Sequence, residues 1–578
     1  MTTGSEGAVP AGYWNVDITG GWMYLLPPLA QRRVLCISPR RPAQSASEAS
    51  LFGELTLLHD ARLDGVPNAL DVANSGACAA RWESLDSLLQ DEAPARSTER
   101  RYDGLVIHDP QGMIVHRGNW PRLAALLRQL PKLLRPDAFV YLGVPNPRSL
   151  SRLVASLTRQ ARPAIQPPVA TATLLDALAG AGFADVRIHP YLAWGPTLAE
   201  VIPPRGYRAS KNRERPAERF KELLFGRAGS HRFASAHGIL ACAGHRMAST
   251  LDHVFEQVVQ APYYQGQAAP VVKNYLLFPG SKAIVTFGPL DRDDHDLVGI
   301  LTSDALAIER RNAEMAILSE LAKLPTPLSQ AVPRPLGQIA IGKTRCYLLN
   351  RIPGVTLDLE SAALDQVTEQ ALDFVTNLHC ASSQRTVMNE ANYRKLFWAL
   401  IEAAQERLPA VAAEFRALDA PLRACVLGAE FPTVWMHGDY KVENVMYDQR
   451  QRRLTGVIDW ELARPSGLPL LDPLYLLIYN RQIRGEEHFS SIENVLWPQR
   501  RSDLEQAQLR RYRERLGLAE NLEPALCAMF VAHHVGCRLH FRAGSSAADA
   551  LQKLLPKVRA MLERAAALHR GARELERT

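Results

Sequence analysis

The sequence has few cysteines, and its apolar residues never form a long run. Its eight cysteines are scattered over 578 residues, with no CxxC pair and no framework spacing. This use of cysteine is typical of reduced, mostly buried thiols. No segment reaches the roughly 18 uninterrupted apolar residues of a membrane span, and the N-terminus has no basic region followed by an apolar core. We therefore expect a cytoplasmic protein without a membrane span.

A strong excess of charge of either sign is also missing. The 67 lysines and arginines against 60 aspartates and glutamates give a formal net charge of +7. That mild excess suits a phosphate or another small anion, and the sequence has no clustered basic and aromatic stretch of a nucleic-acid module. Nucleic acid is therefore not an expected partner. The length exceeds what one core accommodates, so two or more domains are predicted.

The first half of the sequence alternates strand-like apolar runs with helical spacing of leucines. The strand candidates are residues 32–39, 54–60, 102–110 and 137–145, and helical leucine spacing separates the last two. A helix, a glycine turn and a strand follow in "LLDALAGAGFADVRIHPYLAWG", and "HGILACAG" is predicted to be a closing edge strand. This alternation predicts a doubly wound α/β sheet.

These runs resemble the class I S-adenosylmethionine-dependent methyltransferases over about residues 20–245. The resemblance rests on "LVIHDP", "LLRPDAFVYLGVPNPRSL" and "GFADVRI". In that family the first strand ends in a glycine-rich turn against the cofactor, whereas no glycine occurs here from Cys36 to Ser50. The resemblance therefore implies a methyltransferase-like Rossmann fold for residues 1–245, and the missing glycines make S-adenosylmethionine an unexpected cofactor.

A new pattern begins after residues 246–268, which are predicted to be a linker. Three strand candidates separated by the turns "FPGSK" and "PLDRDDHD" indicate an antiparallel arrangement. A helix is predicted over "ALAIERRNAEMAILSELAKL", and a strand over "RCYLLNRIPG". From Asp365 onward helical patterns dominate. Residues 269–578 are therefore predicted to form a second, α+β domain.

The polar run "HGDYKVENVMYD" stands out between apolar flanks, and "LTGVIDWELA" follows it. Phosphoryl transfer needs a carboxylate at the acceptor hydroxyl and metal ions that neutralise the phosphates. Asp439 is the candidate for the first role. Asn444 and Asp459 are candidate magnesium ligands, because magnesium prefers oxygen and takes few ligands from the protein.

Together, these two stretches resemble the aminoglycoside phosphotransferase and choline kinase group of protein-kinase-like enzymes. The resemblance implies a bilobal fold, with an N-lobe at about 269–352 and a mostly helical C-lobe at about 353–578. It implies transfer of phosphate from ATP, with Mg²⁺, to a hydroxyl of a sugar, an amino alcohol or an antibiotic-like metabolite. Asp439 is then catalytic, His437 buttresses its loop, and Asn444 and Asp459 bind the metal. Structural roles are implied for two further residues, His379 and Asp472.

The same resemblance implies where the nucleotide binds. The Gly-Ser turn of "FPGSKAIVTF" would cover the phosphates, and the backbone of "YLLNRIPG" would meet the adenine. The predicted nucleotide contacts are Gly280, Ser281, Lys282, Glu314, Leu349, Asn350 and Arg351. In the family the helix glutamate, here Glu314, pairs with a lysine of the third strand. We assign the position of that lysine to Gly299, and Lys282 on the neighbouring strand is an alternative source of the charge.

Two alternative functions stay open at this point. Without the lysine, the chain is also compatible with a non-catalytic pseudokinase and pseudo-methyltransferase that binds or scaffolds a partner. A bifunctional methyltransferase and kinase is the second alternative.

One further pattern carries a possible metal site. His533, Cys537 and His540 fall at i, i+4 and i+7 and share a helix face. No acidic residue accompanies them on that face, so core packing or lining of the acceptor pocket is favoured over metal binding.

Overall fold

The structure is a computed structural model, and it describes most of the chain. The described residues are 21–37, 53–59, 79–84, 102–109, 115–149, 168–193, 199–202, 234–264, 269–278, 281–289, 295–356, 363–407, 409, 412–541, 556, 559–560 and 563. By packing, the chain falls into a first unit, residues 1–310 with 335–351, and a second unit, residues 311–334 with 352–578. Gly280 and the segment after the first strand, residues 38–52, lie outside the described residues.

Within the described part of the chain, the first unit contains thirteen strands. They are β1 (Arg33–Ile37), β2 (Glu54–His59), β3 (Ala79–Ser84), β4 (Tyr102–His108), β5 (Leu134–Pro145), β6 (Asp185–Ala193), β7 (Ala199–Val201), β8 (Ala236–Cys242), β9 (Val271–Leu277), β10 (Ala283–Gly288), β11 (Leu297–Thr302), β12 (Pro335–Ile341) and β13 (Thr344–Asn350). They form one mixed sheet in the order β12-β13-β11-β10-β9-β7-β6-β8-β5-β4-β1-β2-β3.

The strands β3-β2-β1-β4-β5 are parallel, and the chain changes direction across the sheet between β1 and β4. This order is the one that a doubly wound α/β sheet takes, so the predicted fold class is confirmed. One detail of the prediction is wrong. The strand "HGILACAG" is not an edge, because β8 pairs with both β5 and β6. Its residues are all buried, as an interior strand requires.

Helices cover both faces of this parallel region. They are α1 (Trp120–Leu133), α2 (Thr171–Gly180) and α3 (Thr250–Gln260). Leucines of α1 at positions 123, 126, 127 and 130 follow helical spacing, and all four are buried against β4 and β5 in one core with leucines of α2. A second core on the other face holds the short 3₁₀ helix Gly21–Leu25 and α3, together with side chains from β9 to β13.

The antiparallel strands β9, β10 and β11 continue the sheet of the first unit. β7 pairs antiparallel with β9, with Glu200 opposite Leu276. Residues 246–268, for which the sequence predicts a linker, include α3, which begins with a capping box between Ser249 and Asp252. The division of the chain into domains at these residues stays a prediction.

The second unit is mostly helical, as predicted from Asp365 onward. The helix α4 (Ala305–Leu321) leads into it, and its helices are α5 (Leu364–Ser382), α6 (Glu390–Tyr393), α7 (Ala399–Arg407), α8 (Ala412–Val426), α9 (Leu471–Ile483), α10 (His488–Leu496), α11 (Asp503–Leu516) and α12 (Glu523–Phe541). Its strands are β14 (Val355–Thr356), β15 (Gln384–Val387), β16 (Glu430–Met436), β17 (Val445–Asp448), β18 (Arg453–Val457) and β19 (Arg464–Gly467). In the described residues, no helix has the length and apolar character needed to cross a bilayer.

Candidate functional site

The polar run His437–Asn444 lies between β16 and β17 in the second unit. Gly438 has a φ of +85°, and a Cβ there would lie 2.5 Å from the carbonyl oxygen of Leu462. A positive φ with a neighbour this close suits glycine alone. Tyr440 is fully buried, and its hydroxyl donates to the carbonyl of Ala371 on α5 at 2.7 Å. The backbone conformation and the buried tyrosine together fix the loop on the helical core.

His437 is fully buried and joins the loop to the segment before Asp459. Its Nε2 lies 3.0 Å from the carbonyl oxygen of Ile458, so Nε2 carries the proton and donates. Its Nδ1 therefore accepts the backbone N–H of Asp439 at 3.3 Å. The ring also packs on Trp460, at 4.6 Å between centroids. These contacts tie the His437 side chain to the backbone on either side of it, and its role as a buttress of the loop stays a prediction.

Asp472, at the start of α9, anchors the same loop from beneath. One carboxylate oxygen accepts the backbone N–H of His437 at 2.7 Å, and the other accepts that of Gly438 at 2.9 Å. Burial raises the pKa of Asp472, but the facing His379, together with His437, more than offsets it, so the net pKa lies below its usual value. An ionised carboxylate with two backbone donors is a strong anchor, even though it is fully buried.

His379 on α5 completes this anchor. Its Nδ1 lies 2.7 Å from the hydroxyl of Tyr512, and that hydroxyl also accepts the backbone N–H of Leu470 at 3.0 Å. The tyrosine hydroxyl therefore donates to Nδ1, which leaves the proton of His379 on Nε2, 3.4 Å from Asp472. Both residues that the sequence predicts to be structural lie in this network beneath the loop.

Asp439 is partly exposed, and one of its oxygens is held by neighbours within the loop. Its Oδ2 lies 3.0 Å from Lys441 Nζ and 3.3 Å from Asn444 Nδ2. Asn444 Nδ2 also donates to the backbone carbonyl of Asp439 at 2.9 Å. Burial lowers the pKa of Lys441, but the adjacent Asp439 carboxylate outweighs that effect and raises it above its usual value. A charged lysine therefore fixes the orientation of the Asp439 carboxylate.

Asp459 follows β18 and is brought to the loop by its backbone neighbours. The N–H of Ile458 donates to the carbonyl of Asn444 at 2.9 Å, and the N–H of Trp460 donates to Glu314 Oε1 at 3.1 Å. Asp459 has a φ of +67°, a conformation that aspartate tolerates better than most residues do. The backbone bonds on either side of it thus hold Asp459 in this conformation, with its side chain partly exposed.

The residues in this unit fit a magnesium ion that is shared with phosphates. Because Nδ2 of Asn444 is engaged by Asp439, its Oδ1 is the amide atom that can ligate a metal. Asp459 supplies a carboxylate. Among the residues that the structure describes, no group of three His, Cys, Asp or Glu side chains is arranged as a metal cage. Two oxygen ligands without a cage are what magnesium uses when phosphates and water complete its shell.

Glu314 finds a different partner from the lysine expected in the family. Its carboxylate forms an ion pair with Arg311, one turn earlier on α4, and the pair is almost fully buried. Nη2 of Arg311 lies 2.5 Å from Glu461 Oε2 and 3.8 Å from Asp459 Oδ1. Burial raises the pKa of Glu314, although Arg311 pulls it down. A buried guanidinium therefore lies among three carboxylates, one of which belongs to the predicted metal ligand Asp459.

The predicted phosphate turn lies in the first unit, and Ser281 and Lys282 are its described members. Ser281 is buried, its carbonyl accepts the hydroxyl of Tyr24 at 2.6 Å, and its Oγ lies 3.1 Å from Thr302 Oγ1. Nζ of Lys282 lies 5.5 Å from the ring centroid of Phe278. These contacts anchor the end of the turn, and a phosphate contact of either residue stays a prediction.

The predicted adenine segment Leu349–Arg351 ends strand β13 in the first unit. Leu349 pairs with Val298 of β11. The backbone N–H of Arg351 donates to the carbonyl of Asp296 at 3.0 Å, and its guanidinium lies 2.6 Å from the Asp296 carboxylate. Lys273 approaches the same buried carboxylate at 2.6 Å. This segment is therefore fixed by Asp296, and the adenine contacts of Leu349, Asn350 and Arg351 stay predictions.

The assignment of the missing lysine to Gly299 is wrong. A Cβ at Gly299 would lie 2.8 Å from the ring of Phe287 and 3.0 Å from Sγ of Cys346, inside the core that contains α3. The next residue, Ile300, is opposite Tyr347, whose hydroxyl donates to the carbonyl of Ile308 on α4. Since cross-strand partners share a face of the sheet, Ile300 faces the side of α4 and Gly299 faces away from it.

The helical histidine pattern near the C-terminus is partly described. His533 is buried on α12, next to the ring of Tyr475, and burial, with a smaller effect of Arg464, lowers its pKa to about 3. The side chains of Cys537 and His540 lie outside the described residues. A neutral, buried His533 is consistent with the core packing favoured from the sequence.

Sequence reasoning missed two charged side chains of the site. The family motif assigns no role to Lys441, although its place two residues after Asp439 in an extended loop puts both side chains within reach of each other. Arg311 was hidden in the run "ERRNAE", where an i, i+3 spacing to Glu314 was the available signal. Its contact with Glu461 spans 150 positions and had no local signature.

Comparisons with known proteins gave one family match and a set of similar solved structures. Residues 293–527 match the model of the phosphotransferase enzyme family. No curated protein was found to match the chain. Among solved structures, the chain is similar to a SAM-dependent methyltransferase from Archaeoglobus fulgidus at 16% identity, covering 37% of this chain and 88% of that one, with a TM-score of 0.24.

Two further solved structures are similar to about half and to most of the chain. Aminoglycoside phosphotransferase APH(3'')-Id from Streptomyces rimosus is similar at 16% identity, covering 49% of this chain and 98% of that one, with a TM-score of 0.30. WbdD, crystallised with a kinase inhibitor, is similar at 12% identity and covers 84% of each chain, with a TM-score of 0.22. The family match confirms the resemblance of the C-terminal half to phosphotransferases.

Proposed function

From the match of residues 293–527 to the phosphotransferase enzyme family, we propose that the chain transfers the terminal phosphate of ATP to a hydroxyl group of a small molecule. Sugars, amino alcohols and antibiotic-like metabolites are the acceptor classes. The acceptor oxygen forms the new bond to phosphorus, the bond from phosphorus to the bridging oxygen of ADP breaks, and the hydroxyl proton leaves through Asp439.

Asp439 orients the acceptor in this proposal. Its Oδ2 is held by Lys441 and Asn444, so its Oδ1 is the oxygen that receives the hydroxyl proton. Because Asp472 fixes the backbone of His437 and Gly438, the carboxylate of the next residue is held in one orientation. A carboxylate fixed in advance loses little freedom when the acceptor binds, and correct orientation contributes much of the rate in phosphoryl transfer.

Asn444 and Asp459 would hold magnesium, through the amide oxygen Oδ1 and a carboxylate oxygen. When bound, the metal neutralises charge on the phosphates that develops during transfer. The residues of the first unit, Ser281, Lys282, Leu349, Asn350 and Arg351, are proposed nucleotide contacts, together with Gly280 of the same turn.

The observation that carries the proposal is the link between Asp439, Asn444 and Asp459. The side chain of Asn444 bonds to Asp439, while its carbonyl accepts the N–H of Ile458, next to Asp459. A turn or capping role for any one of these residues does not require the other two to meet.

The test is a screen for ADP release by the purified chain with Mg·ATP and a library of hydroxyl metabolites. We expect an acceptor-dependent release that Asp439→Asn lowers by at least about a hundredfold, as loss of an oriented general base does. Asp448→Asn is the matched control, because Asp448 caps the turn after β17 and asparagine caps such turns equally well. Release that is independent of Asp439 would contradict the proposal.

A further inference from the structure

The structure contains a buried positive charge that the proposed mechanism has not used. The side chain of Arg311 on α4 is 5% exposed and contacts Glu314, Glu461 and Asp459. Its two terminal nitrogens are divided between these partners. Nη1 pairs with Glu314, whereas Nη2 is 2.5 Å from Glu461 and 3.8 Å from Asp459.

The charges around Arg311 do not balance. Three carboxylates, of Glu314, Asp459 and Glu461, surround one guanidinium, so the cluster is anionic when all of them are ionised. Glu314 has a further partner in the backbone N–H of Trp460, so it is satisfied on two sides. Asp459 and Glu461 are each 35% exposed in their side chains, and they form the open side of the cluster.

We propose that Arg311 supplies the phosphate-binding charge that strand β11 lacks, and that without nucleotide it is the counter-ion of Asp459. This inference rests on the proposed function. With a metal ion at Asp459, that carboxylate would no longer need the guanidinium, so Nη2 of Arg311 would be available to a phosphate oxygen while Nη1 stays on Glu314. A planar guanidinium suits this exchange, because its fork of donors holds a carboxylate and a phosphate at once.

Arg311 fills this role from a helix rather than from the strand. Strand β11 offers no such charge, since Gly299 faces a core and its neighbour Ile300, on the side of α4, is apolar. Glu314 therefore keeps a cationic partner, but that partner comes from one turn earlier on its own helix. Arg311 is a positioning residue for Asp459 and Glu314 in the absence of nucleotide and a phosphate contact in its presence.

This double role predicts opposite effects on the metal and on the nucleotide. Removing the guanidinium leaves Asp459 without its counter-ion, so a divalent cation alone should bind more tightly. The same change removes a charge-assisted hydrogen bond to phosphate, so Mg·ADP should bind more weakly. A merely structural arginine would shift both affinities in the same direction or neither.

The experiment compares the full-length chain with Arg311→Gln. Mn²⁺ alone is titrated with detection of free Mn²⁺ by electron paramagnetic resonance, and Mg·ADP and adenosine are titrated by calorimetry. We expect Arg311→Gln to bind Mn²⁺ several-fold more tightly and Mg·ADP at least about tenfold more weakly, with the affinity for adenosine unchanged. Mg·ADP affinity equal to wild type, or a parallel loss for adenosine, overturns the inference.

Two variants guard against a trivial loss of folding. Arg501→Gln removes another buried arginine of the second unit, one paired with Glu523, and it should leave all three affinities unchanged. Arg311→Lys keeps the charge but not the fork, so it should lose Mg·ADP affinity less than the glutamine variant and keep its adenosine affinity. If Arg311→Gln does not fold, equal losses of Mg·ADP and adenosine in Arg311→Lys overturn the inference.

Failure of the inference is distinguishable from failure of the proposed function. A wild-type chain that binds no Mg·ADP contradicts the proposed function itself. If Arg311→Gln binds Mg·ADP as tightly as the wild type does, only the role of Arg311 is contradicted.

Discussion

Asp472 accepts the backbone N–H of His437 at 2.7 Å, although the two residues are 35 positions apart in the chain. The second oxygen of the same carboxylate accepts the next N–H, that of Gly438. One buried side chain thus sets the backbone from which the candidate catalytic residue projects. The stability of the fold and the geometry of the candidate site therefore depend on the same contact.

Replacing Asp472 should lower the stability of the fold and disturb the geometry of the candidate site. In Asp472→Asn one oxygen becomes an amide nitrogen, which cannot accept the N–H that faces it and leaves a buried donor unsatisfied. We expect a loss of about 2–3 kcal/mol in the free energy of unfolding, measured by urea denaturation at pH 7. A change below about 0.5 kcal/mol, the size expected of surface substitutions such as the control Asp448→Asn, would contradict the anchor.

The contribution of Asp472 should also depend on pH. Its pKa is lowered in the folded state, so the ionised form is the one that the fold favours. The stabilisation that Asp472 contributes is therefore fully present when the pH is above 3.8, the pKa of aspartate in the unfolded chain. It is lost as the pH falls through the pKa of Asp472 in the folded state. The difference in urea midpoint between wild type and Asp472→Asn should be constant from pH 7 to pH 5 and should shrink below about pH 4. A difference that grows on acidification contradicts this assignment.

Gly438 provides a matched pair with Gly428. Both have positive φ, +85° and +81°, so alanine is strained by the backbone to a similar extent at either position. A Cβ at Gly438 meets the Leu462 carbonyl at 2.5 Å, whereas nothing lies within 4 Å at Gly428. The free energy of unfolding of Gly438→Ala should therefore be about 1–3 kcal/mol lower than that of Gly428→Ala, measured by urea denaturation. Equal midpoints would show that the loop is not held against Leu462.

A lysine at Gly299 should damage the fold rather than restore a nucleotide contact. The new side chain would collide with Phe287 and Cys346 and place a charge in an apolar core. We expect a loss of at least about 3 kcal/mol in unfolding free energy and no gain in Mg·ATP affinity by calorimetry. Gly180→Ala on α2, where a Cβ meets nothing within 4 Å, should instead be neutral or slightly stabilising. Tighter Mg·ATP binding by Gly299→Lys would reverse the assignment of the two strand faces.

Much of the fold could be predicted from local patterns in the sequence. The strands β1, β2, β4 and β5 and the helix α1 follow from apolar runs and leucine spacing, which reflect burial of nearby residues. The place of β8 could not be predicted, because pairing on both sides is a property of the assembled sheet. The sheet face of Gly299 could not be predicted for the same reason, because a shift of one residue along a strand exchanges its two faces.

The candidate site also has one part that could be predicted from local sequence and one part that could not. Asp439, Asn444 and Asp459 were identified because their order and spacing match a family motif. The contacts of Arg311 with Glu461 and of Asp472 with His437 join distant parts of the chain, so no window of sequence contains both partners. Charged residues whose partners are distant in sequence are therefore the part of the site that the structure adds.

The central claim is that Asp439 activates a hydroxyl acceptor for phosphate from ATP. The most direct test is transfer of labelled phosphate from the terminal position of ATP to the acceptor found in the screen. The rate of transfer is compared between wild type and Asp439→Asn, and the Mg·ADP affinity of both proteins is measured alongside. We predict labelled acceptor with wild type, at least about a hundredfold less with Asp439→Asn, and unchanged Mg·ADP binding in the variant. Labelled acceptor formed at the same rate by both proteins would contradict the claim.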